Sequence, residues 1–112
     1  MKSWINGKTI GDEFTPLHFA SFNGNIDAIE TLVSYGADIY ALNKNKLNML
    51  HVAAQNDQAI SLYYFKLKNL DINAVDEQGN TPLHWSCYQR SEIALSYLLA
   101  WDPQVDKQDN LG

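Results

Sequence analysis

Thr15-Pro16-Leu17-His18 is the stretch that decides the fold of this chain, because it returns twice at one interval. The later copies are Asn48-Met49-Leu50-His51 and Thr81-Pro82-Leu83-His84, so the histidines stand at 18, 51 and 84, 33 residues apart. A constant period in this range is typical of a stack of similar supersecondary units that bury their faces on one another. Such stacks present extended surfaces that bind other proteins.

The period divides the chain into three repeats. In one common register the first repeat covers residues 10–42, the second 43–75 and the third 76–108, with an N-terminal flank over 1–9. Residues 109–112 match residues 76–79 and would start a further repeat. We therefore expect a fragment cut from a longer array, and a short natural protein that stops there is the alternative.

Each repeat is predicted to begin with a short helix. Pro16 and Pro82 suit the first helical turn, where a missing N–H costs nothing. Thr15, Asn48 and Thr81 precede these turns and are preferred N-cap residues. The small residues that follow, such as Ala53, would let a neighbouring helix approach closely.

A second helix and an extended finger complete each repeat. Apolar residues at helical spacing follow a turn over 23–25, and Gly36 stands where a left-handed C-cap is expected. Asn69 and Asp102 are its equivalents and also tolerate positive φ. Residues 71–80 combine alternation with a glycine turn, which predicts a hairpin-like finger, and 38–42 and 105–109 hold the same place.

This combination of motifs resembles the ankyrin repeat. The resemblance rests on Thr-Pro-Leu-His-Phe-Ala at 15–20, Gly-Ala-Asp at 36–38, Asp-Ile-Asn-Ala at 71–74 and the stretch 76–84, and it covers about residues 10–112. It implies an all-α solenoid of about three helix–turn–helix units with β-turn fingers. Fingers and first helices would form a concave face, and the repeat histidine would tether neighbouring fingers by hydrogen bonds.

Four residues depart from the ankyrin pattern. Met49 replaces the proline of the second repeat. In the third repeat Arg90 replaces the glycine of the turn between the two helices, and Pro103 replaces the alanine that follows the end of the second helix. Lys66 stands where a buried leucine is usual. We expect the helix around Lys66 to be shifted, or its ammonium group to reach water along an apolar stem.

Charge and composition exclude several classes of function. A net charge of −5 argues against a nucleic-acid partner, since phosphate binding needs a basic face. The eight Lys and Arg residues are scattered, unlike a membrane-surface patch. No apolar run approaches the roughly 20 residues that cross a bilayer, so we expect no direct membrane insertion by this chain.

The single cysteine and the N-terminus bear on location. Cys87 is the only cysteine, which fits a reducing compartment, and the first ten residues lack the apolar core of a signal peptide. We expect an intracellular, cytoplasmic location. A place on the cytosolic face of a membrane would follow if the chain belongs to a larger membrane protein.

Three groups of residues invite a metal or enzymatic interpretation, and each has a stronger structural one. The histidines lie one repeat apart, in a line rather than around one ion. Cys87 holds the small-residue position of Ser21 and Ala54, where we expect a buried and unreactive thiol. Acidic pairs fall on or near exposed fingers: Asp12-Glu13, Asp76-Glu77 and Asp106 with Asp109. We predict no catalytic residue, no metal site and no cofactor.

Trp85 is the strongest candidate for a functional side chain. It follows the third repeat histidine, where the other repeats carry Phe19 and Val52. Its indole could be packed between repeats. It could equally be an aromatic platform for an apolar or proline side chain of a partner, because tryptophan offers a large area at a small entropic cost.

The family's geometry extends this site along the concave face. We expect partner contacts at exposed positions of the first helices and along the fingers. In the first repeat we also expect one at Phe14, the residue before the N-cap. The candidates are Phe14, Phe22, Asn23, Gln55, Asn56, Trp85, Tyr88 and Gln89 for the helices, and Lys44, Asn45, Leu47, Glu77, Gln78 and Asn80 for the fingers. This groove would be aromatic at its ends and amide-rich in the middle, which suits an extended peptide backbone.

The third repeat also resembles, more narrowly, the ankyrin array of DHHC-type protein S-acyltransferases. The similar segments are residues 80–88 and 94–101. The resemblance implies that a tryptophan at the place of Trp85 helps to hold proline-containing segments of substrates. It also implies that a zinc-binding, membrane-embedded acyltransferase part would lie beyond Gly112, so this chain itself would have no activity.

These features support one leading hypothesis and two others. The leading one is a protein-interaction module that binds another protein or an extended peptide, as the substrate-recruiting arm of a larger protein such as an S-acyltransferase. The alternative is a free-standing structural scaffold or adaptor, or an array that self-associates through exposed repeat ends. An enzyme within the chain is a third hypothesis that no motif favours.

Overall fold

The helices recur at the interval of the sequence motif. The computed structural model describes the backbone of residues 3–101 and the side chains of 5–101. A 3₁₀ turn over Ser3–Asn6 is followed by helices α1 (Pro16–Asn23), α2 (Ile26–Ser34), α3 (Met49–Gln55), α4 (Ala59–Leu67), α5 (Pro82–Tyr88) and α6 (Glu92–Ala100). This described part contains no strand. The predicted all-α solenoid is confirmed.

The first helix of each repeat begins where its cap predicts. The side-chain oxygens of Thr15, Asn48 and Thr81 accept the backbone N–H of the histidine three residues on, at 3.3, 2.9 and 3.3 Å. Each histidine returns the bond, because its ring Nδ1 accepts the N–H of the cap residue at 3.1, 3.0 and 3.0 Å. This reciprocal capping matters because helices of seven or eight residues are not stable alone.

The opposite side of the histidine ring reaches the next finger. Nε2 of His18 lies 3.1 Å from the carbonyl oxygen of Leu47. Nε2 of His51 lies 3.1 Å from the carbonyl of Ala74 and 3.0 Å from that of Asn80. Since Nδ1 accepts and Nε2 faces carbonyls, these rings are neutral with the proton on Nε2. The predicted tether between repeats is confirmed for His18 and His51.

The fingers are narrow turns. In the second repeat the N–H of Asn43 donates to the carbonyl of Leu47 at 3.1 Å, and in the third Asp76 donates to Asn80 at 2.9 Å. One backbone hydrogen bond of 2.9 Å, from Glu77 to the preceding finger, joins the two. The fingers therefore have the hairpin-like shape that the sequence predicts, without a ladder of paired strands in the described residues.

Left-handed residues end the helices at the expected places. Gly36 and Asn69 have φ of 99° and 71°, and their third equivalent, Asp102, lies outside the described residues. Pro103 and the stretches predicted as a finger (105–109) and as the start of a repeat (109–112) lie outside them as well.

The turn between the two helices of a repeat is also left-handed in all three copies. Gly24 has φ of 67°, and Asp57 and Arg90 both have φ of 57°. Arg90 therefore adopts the same backbone as the glycine it replaces. Because positive φ is unfavourable for an arginine, the surrounding helices must hold this turn in place.

The first helices pack side by side through small residues. Ala20, Ser21, Ala53, Ala54 and Ser86 are at most 8 % exposed along the contacts of α1 with α3 and of α3 with α5. The middle repeat is covered from both sides. Its core side chains Leu50, Leu62 and Phe65 are fully buried, as close packing between repeats requires.

The N-terminal flank forms part of the stack. Ile5 is fully buried in the common core. The side-chain amide of Asn6 donates to the carbonyl of Gly36 at 3.3 Å and accepts the N–H of Asp38 at 2.8 Å. The flank therefore ties itself to the end of α2 through a polar side chain that can donate and accept at once.

Lys66 does not shift its helix. Helix α4 starts 33 residues after α2, in register with it. The ammonium group of Lys66 lies 5.3 Å from the centroid of the Trp101 ring. The expected shift of the helix is therefore wrong, and the charge of Lys66 ends over an aromatic face.

Helix α6 is capped by the repeat before it. Its own N-cap, Ser91, makes no side-chain cap hydrogen bond. Instead Oδ1 of Asp57, from the turn of the second repeat, accepts the N–H of Ala94 at 2.8 Å. This bond supplies an acceptor to a helix N-terminus and links two repeats.

Replacing Asp57 by alanine should lower the free energy of unfolding by about 1–2 kcal/mol, because α6 loses its cap and alanine is strained at positive φ. The Asp57→Asn variant keeps an acceptor oxygen and tolerates this backbone, so it should lose much less. Urea titration of both variants measures the difference. Equal losses in the two variants would show that the carboxylate charge, and not the cap, is what matters.

Candidate functional site

Two adjoining pockets lie on the face that the first helices and the fingers form. The first has a volume of about 350 Å³, and we call it the phenylalanine pocket; it is lined by Phe14, His18, Phe19, Phe22, Asn23, Val52 and Gln55. Phe14 meets Phe19 edge-on, with ring centroids 5.7 Å apart. Phe19 and Phe22 remain 48 % and 38 % exposed, so the pocket offers an apolar aromatic wall to water.

The second pocket is smaller and more polar. It has a volume of about 190 Å³, and we call it the tryptophan pocket; it is lined by Asn45, Leu47, Gln55, Asp76, Glu77, Gln78 and Trp85. Two fingers supply most of its wall and two first helices the remainder. Gln55 borders both pockets, so the two form one continuous surface.

Trp85 is both packed and part of a pocket. Its indole is half-buried against the core, and its N–H donates to Oδ2 of Asp76 at 2.9 Å. The ring of Tyr88 meets it edge-on, with centroids 5.9 Å apart and an interplanar angle of 86°. The indole is therefore packed in part, and its remaining surface lines the tryptophan pocket.

The two pockets collect nine of the fourteen candidate contact residues. Four of these line the phenylalanine pocket: Phe14, Phe22, Asn23 and Gln55. Six line the tryptophan pocket: Asn45, Leu47, Gln55, Glu77, Gln78 and Trp85. Lys44, Asn56, Asn80, Tyr88 and Gln89 line neither.

Three of the five candidates that line neither pocket make side-chain hydrogen bonds within the protein. The side-chain amide of Asn56 donates to the carbonyl of Phe22 at 2.9 Å, which links the first two repeats. The hydroxyl of Tyr88 donates to Oδ1 of Asn80 at 3.2 Å, which ties α5 to the third finger. These side chains hold the face together beside the pockets.

Leu47 and Asn80 offer a partner little side-chain surface. They are only 6 % and 7 % exposed. The backbone carbonyl of each closes its own finger by accepting a backbone N–H. The same carbonyl also accepts a hydrogen bond from the ring of the histidine in the preceding repeat. Both stay predicted contacts, and the edge of Leu47 borders the tryptophan pocket.

Sequence reasoning missed several pocket residues. Phe19, Val52 and His18 line the phenylalanine pocket, and Asp76 lines the tryptophan pocket, yet none was a candidate contact. Phe19 and Val52 precede Trp85 by two periods and one period. All three residues directly follow a repeat histidine, so the argument that selected Trp85 could also have selected Phe19 and Val52.

Cys87 is exposed, so the expectation of a buried thiol is wrong. Its equivalents Ser21 and Ala54 are fully buried because the helices of the following repeat cover them. Within residues 3–101 no further helix follows α6 to cover α5 in the same way. The position is therefore buried or exposed according to its neighbour and not according to its residue type.

Neither a metal centre nor a membrane span is found in the described part of the chain. No three His, Cys, Asp or Glu side chains of residues 3–101 come together so as to hold a metal ion. In the same range no helix is long and apolar enough to cross a bilayer. The acidic pair of Asp106 and Asp109 lies outside this range.

The chain belongs to the ankyrin-repeat family. The family model "Ankyrin repeats (3 copies)" matches residues 17–110. Ankyrin repeats are protein-interaction modules that are typically non-catalytic, and the pockets lie on the kind of extended face that repeat proteins use for binding.

Curated relatives carry such repeats within longer proteins. Palmitoyltransferase AKR1 of Lachancea kluyveri is 29% identical over 102 residues, which are 88% of this chain and 14% of that protein. Transient receptor potential cation channel subfamily A member 1 of Homo sapiens is 31% identical over 99 residues, 88% of this chain and 9% of the channel. Putative ankyrin repeat protein FPV031 of Fowlpox virus is 32% identical over 108 residues, 92% of this chain and 31% of its own length. The chain thus spans less than a third of each relative.

His18 and His51 are held neutral by their surroundings. Burial lowers the pKa of His18 and of His51 below the ordinary value, although hydrogen bonds to backbone carbonyls act in the opposite direction. A second proton on the ring would also point at the N–H of the cap residue. The folded stack therefore resists protonation that the unfolded chain accepts.

Acid should destabilise the stack before the carboxylates titrate. Below about pH 6.5 the unfolded chain binds more protons than the folded one, so the free energy of unfolding should fall as the pH falls from about 6.5 to 5. Urea titrations from pH 8 to pH 5 measure this decline. In a His51→Gln variant, which is less stable at pH 7.5, the decline should be shallower. Stability that stays constant from pH 7 to pH 5 would contradict the neutral-ring assignment.

Proposed function

We propose that the two pockets bind an extended, proline-containing peptide segment of a partner protein. The observation that carries this proposal is the position of Gln55 at the border of both pockets. An amide can donate to and accept from a peptide backbone at once. A strand of peptide could therefore place one side chain in each pocket and bond to Gln55 between them.

The phenylalanine pocket suits an apolar side chain. Its three phenylalanine rings form the wall, and two of them keep a large exposed fraction that a partner would cover. Burial of apolar surface contributes about 25 cal/mol per Å², so one proline or aliphatic side chain is enough for a useful anchor. Phe14 and Phe19 are already packed against each other, which keeps the ordering cost of binding small.

The tryptophan pocket suits the peptide backbone beside a ring. Asn45 and Gln78 contribute amides and Glu77 a carboxylate around the indole of Trp85. The amides can bond to backbone N–H and C=O groups, and the carboxylate to backbone N–H groups, whatever the neighbouring side chain is. Aromatic anchors ringed by polar groups are typical of the energetic centre of an interface.

A larger protein is the proposed setting for this module. The similarity to palmitoyltransferase AKR1 supports the finer proposal that the chain is the substrate-recruiting ankyrin part of a DHHC-type S-acyltransferase, on the cytosolic face of a membrane. The resemblance of residues 80–88 to the same family, with its tryptophan at 85, agrees with this proposal. In this proposal repeats 10–42, 43–75 and 76–108 hold the substrate, and the transferase chemistry belongs to another part of the protein.

Phe19→Ala should weaken peptide binding by about 2 kcal/mol, roughly 30-fold, because it removes an exposed ring from the pocket wall. The probe is an immobilised library of nonapeptides with proline fixed at the fifth position, followed by titration calorimetry of the peptides retained. Stability in urea should change little, since nearly half of the ring is exposed.

Ile60→Ala is the matched control. Ile60 is 50 % exposed, like Phe19, but lies on α4 in a separate hollow with Ala59, Tyr63 and Tyr97. It should leave peptide affinity unchanged. Equal losses in the two variants, or a library that retains nothing, would overturn the peptide groove and favour the scaffold or self-associating array.

The setting is tested on the native protein. An antibody against this chain, applied to soluble and membrane fractions, should detect a much larger, membrane-bound protein if the S-acyltransferase proposal holds. A soluble band of the size of the 112-residue chain would overturn that setting and leave a free-standing adaptor.

A further inference from the structure

The carboxylate of Asp76 makes two kinds of hydrogen bond with its two oxygens. Its side chain is only 6 % exposed. Oδ1 accepts the backbone N–H groups of Gln78 and Asn80, both at 2.9 Å, and so shapes the third finger. Oδ2 accepts the indole N–H of Trp85, also at 2.9 Å. One oxygen therefore serves the turn, and the other serves the tryptophan.

The second repeat shows that the turn needs only one of these oxygens. Asn43 stands one period before Asp76, and its Oδ1 accepts the N–H groups of Asn45 and Leu47 at 3.0 and 2.9 Å. One period before Trp85 this repeat carries Val52, which has no side-chain N–H to satisfy. A second acceptor oxygen thus occurs in the repeat that has an indole to bond, while an amide suffices in the repeat that has none.

The tryptophan ring is held from a second direction by the same finger. Tyr88 meets the indole edge-on, and its hydroxyl donates to the side chain of Asn80 at 3.2 Å. Asn80 in turn is bonded through its backbone to Asp76. The ring is thereby fixed relative to the finger that forms the other wall of the tryptophan pocket.

We propose that Asp76 is a positioning residue of the peptide groove, which sets the orientation of the Trp85 indole through Oδ2 before any partner binds. This inference rests on the proposed peptide-binding function. A free indole would have to be ordered when the peptide arrives, and ordering a side chain at an interface reduces affinity. The carboxylate removes that cost in advance, and it distinguishes the third repeat from the second.

Asp76→Asn separates the two roles of the carboxylate. An asparagine keeps Oδ1 for the turn, as Asn43 does, but presents an NH₂ group to the indole N–H, and two donors cannot bond. Trp85→Phe removes the same bond from the ring side and leaves the finger untouched. The pair of variants and their combination form a double-mutant cycle, which isolates the coupling between the two side chains.

The first readout needs no peptide. The chain has three tryptophans, and in a ¹H–¹⁵N spectrum the indole signal missing from Trp85→Phe identifies Trp85. In Asp76→Asn this signal should move, while the urea midpoint stays close to that of the wild type. An indole signal that does not move would overturn the positioning role, whatever the peptide result. If Asp76→Asn does not fold, Oδ1 alone does not hold the turn, and the two-role assignment is wrong.

The second readout is affinity for peptides of the proline-centred library. Asp76→Asn should bind about three- to tenfold more weakly than the wild type, the range expected for ordering one side chain. In the Trp85→Phe background the same change should have an effect of less than about twofold. Equal losses in both backgrounds would show that Asp76 does not act through the indole. A wild-type chain that retains no library peptide would overturn the proposed function, and the positioning of the ring would then be decided by the indole signal alone.

Discussion

A neutral histidine that bonds on both sides of its ring is the constraint on which this stack depends. One nitrogen accepts the N–H of the helix cap in its own repeat, and the other donates to a carbonyl of the next finger. The ring thus sets where a helix starts and how far away the next repeat lies. Because the described helices have only seven to nine residues, none would be stable alone, and each depends on these links to its neighbours.

The proposed binding surface consists of positions whose residue type differs from one repeat to the next. Directly after the histidine, the three repeats carry Phe19, Val52 and Trp85. The first is nearly half exposed, the second is buried at 2 %, and the third is half-buried with its N–H bonded. Equivalent backbone positions therefore carry an exposed aromatic ring, a buried valine and a half-buried tryptophan whose N–H is bonded. Variation on a constant frame is how repeat proteins acquire different partners.

Links between repeats are distributed over many small side chains. Asn56 reaches back to α1, Asp57 caps α6, and the hydroxyl of Ser61 donates to the carbonyl of Ser21 at 2.9 Å. Each link is worth little, but together they join helices that are far apart in sequence. None of them could be read from the repeat motif, since they involve residues that differ from one copy to the next.

The sequence by itself determined the period, the caps, the helix starts and the left-handed ends, because each depends on a few adjacent residues. Thr15 and Pro16, for example, specify a helix start wherever they occur. The tertiary structure alone decided burial and hydrogen-bond partners. Cys87 is exposed although Ser21 and Ala54 are buried, and Asp76 meets the indole of Trp85 nine residues later. The physical reason is that burial and pairing depend on which elements cover a residue, and only packing between repeats establishes that.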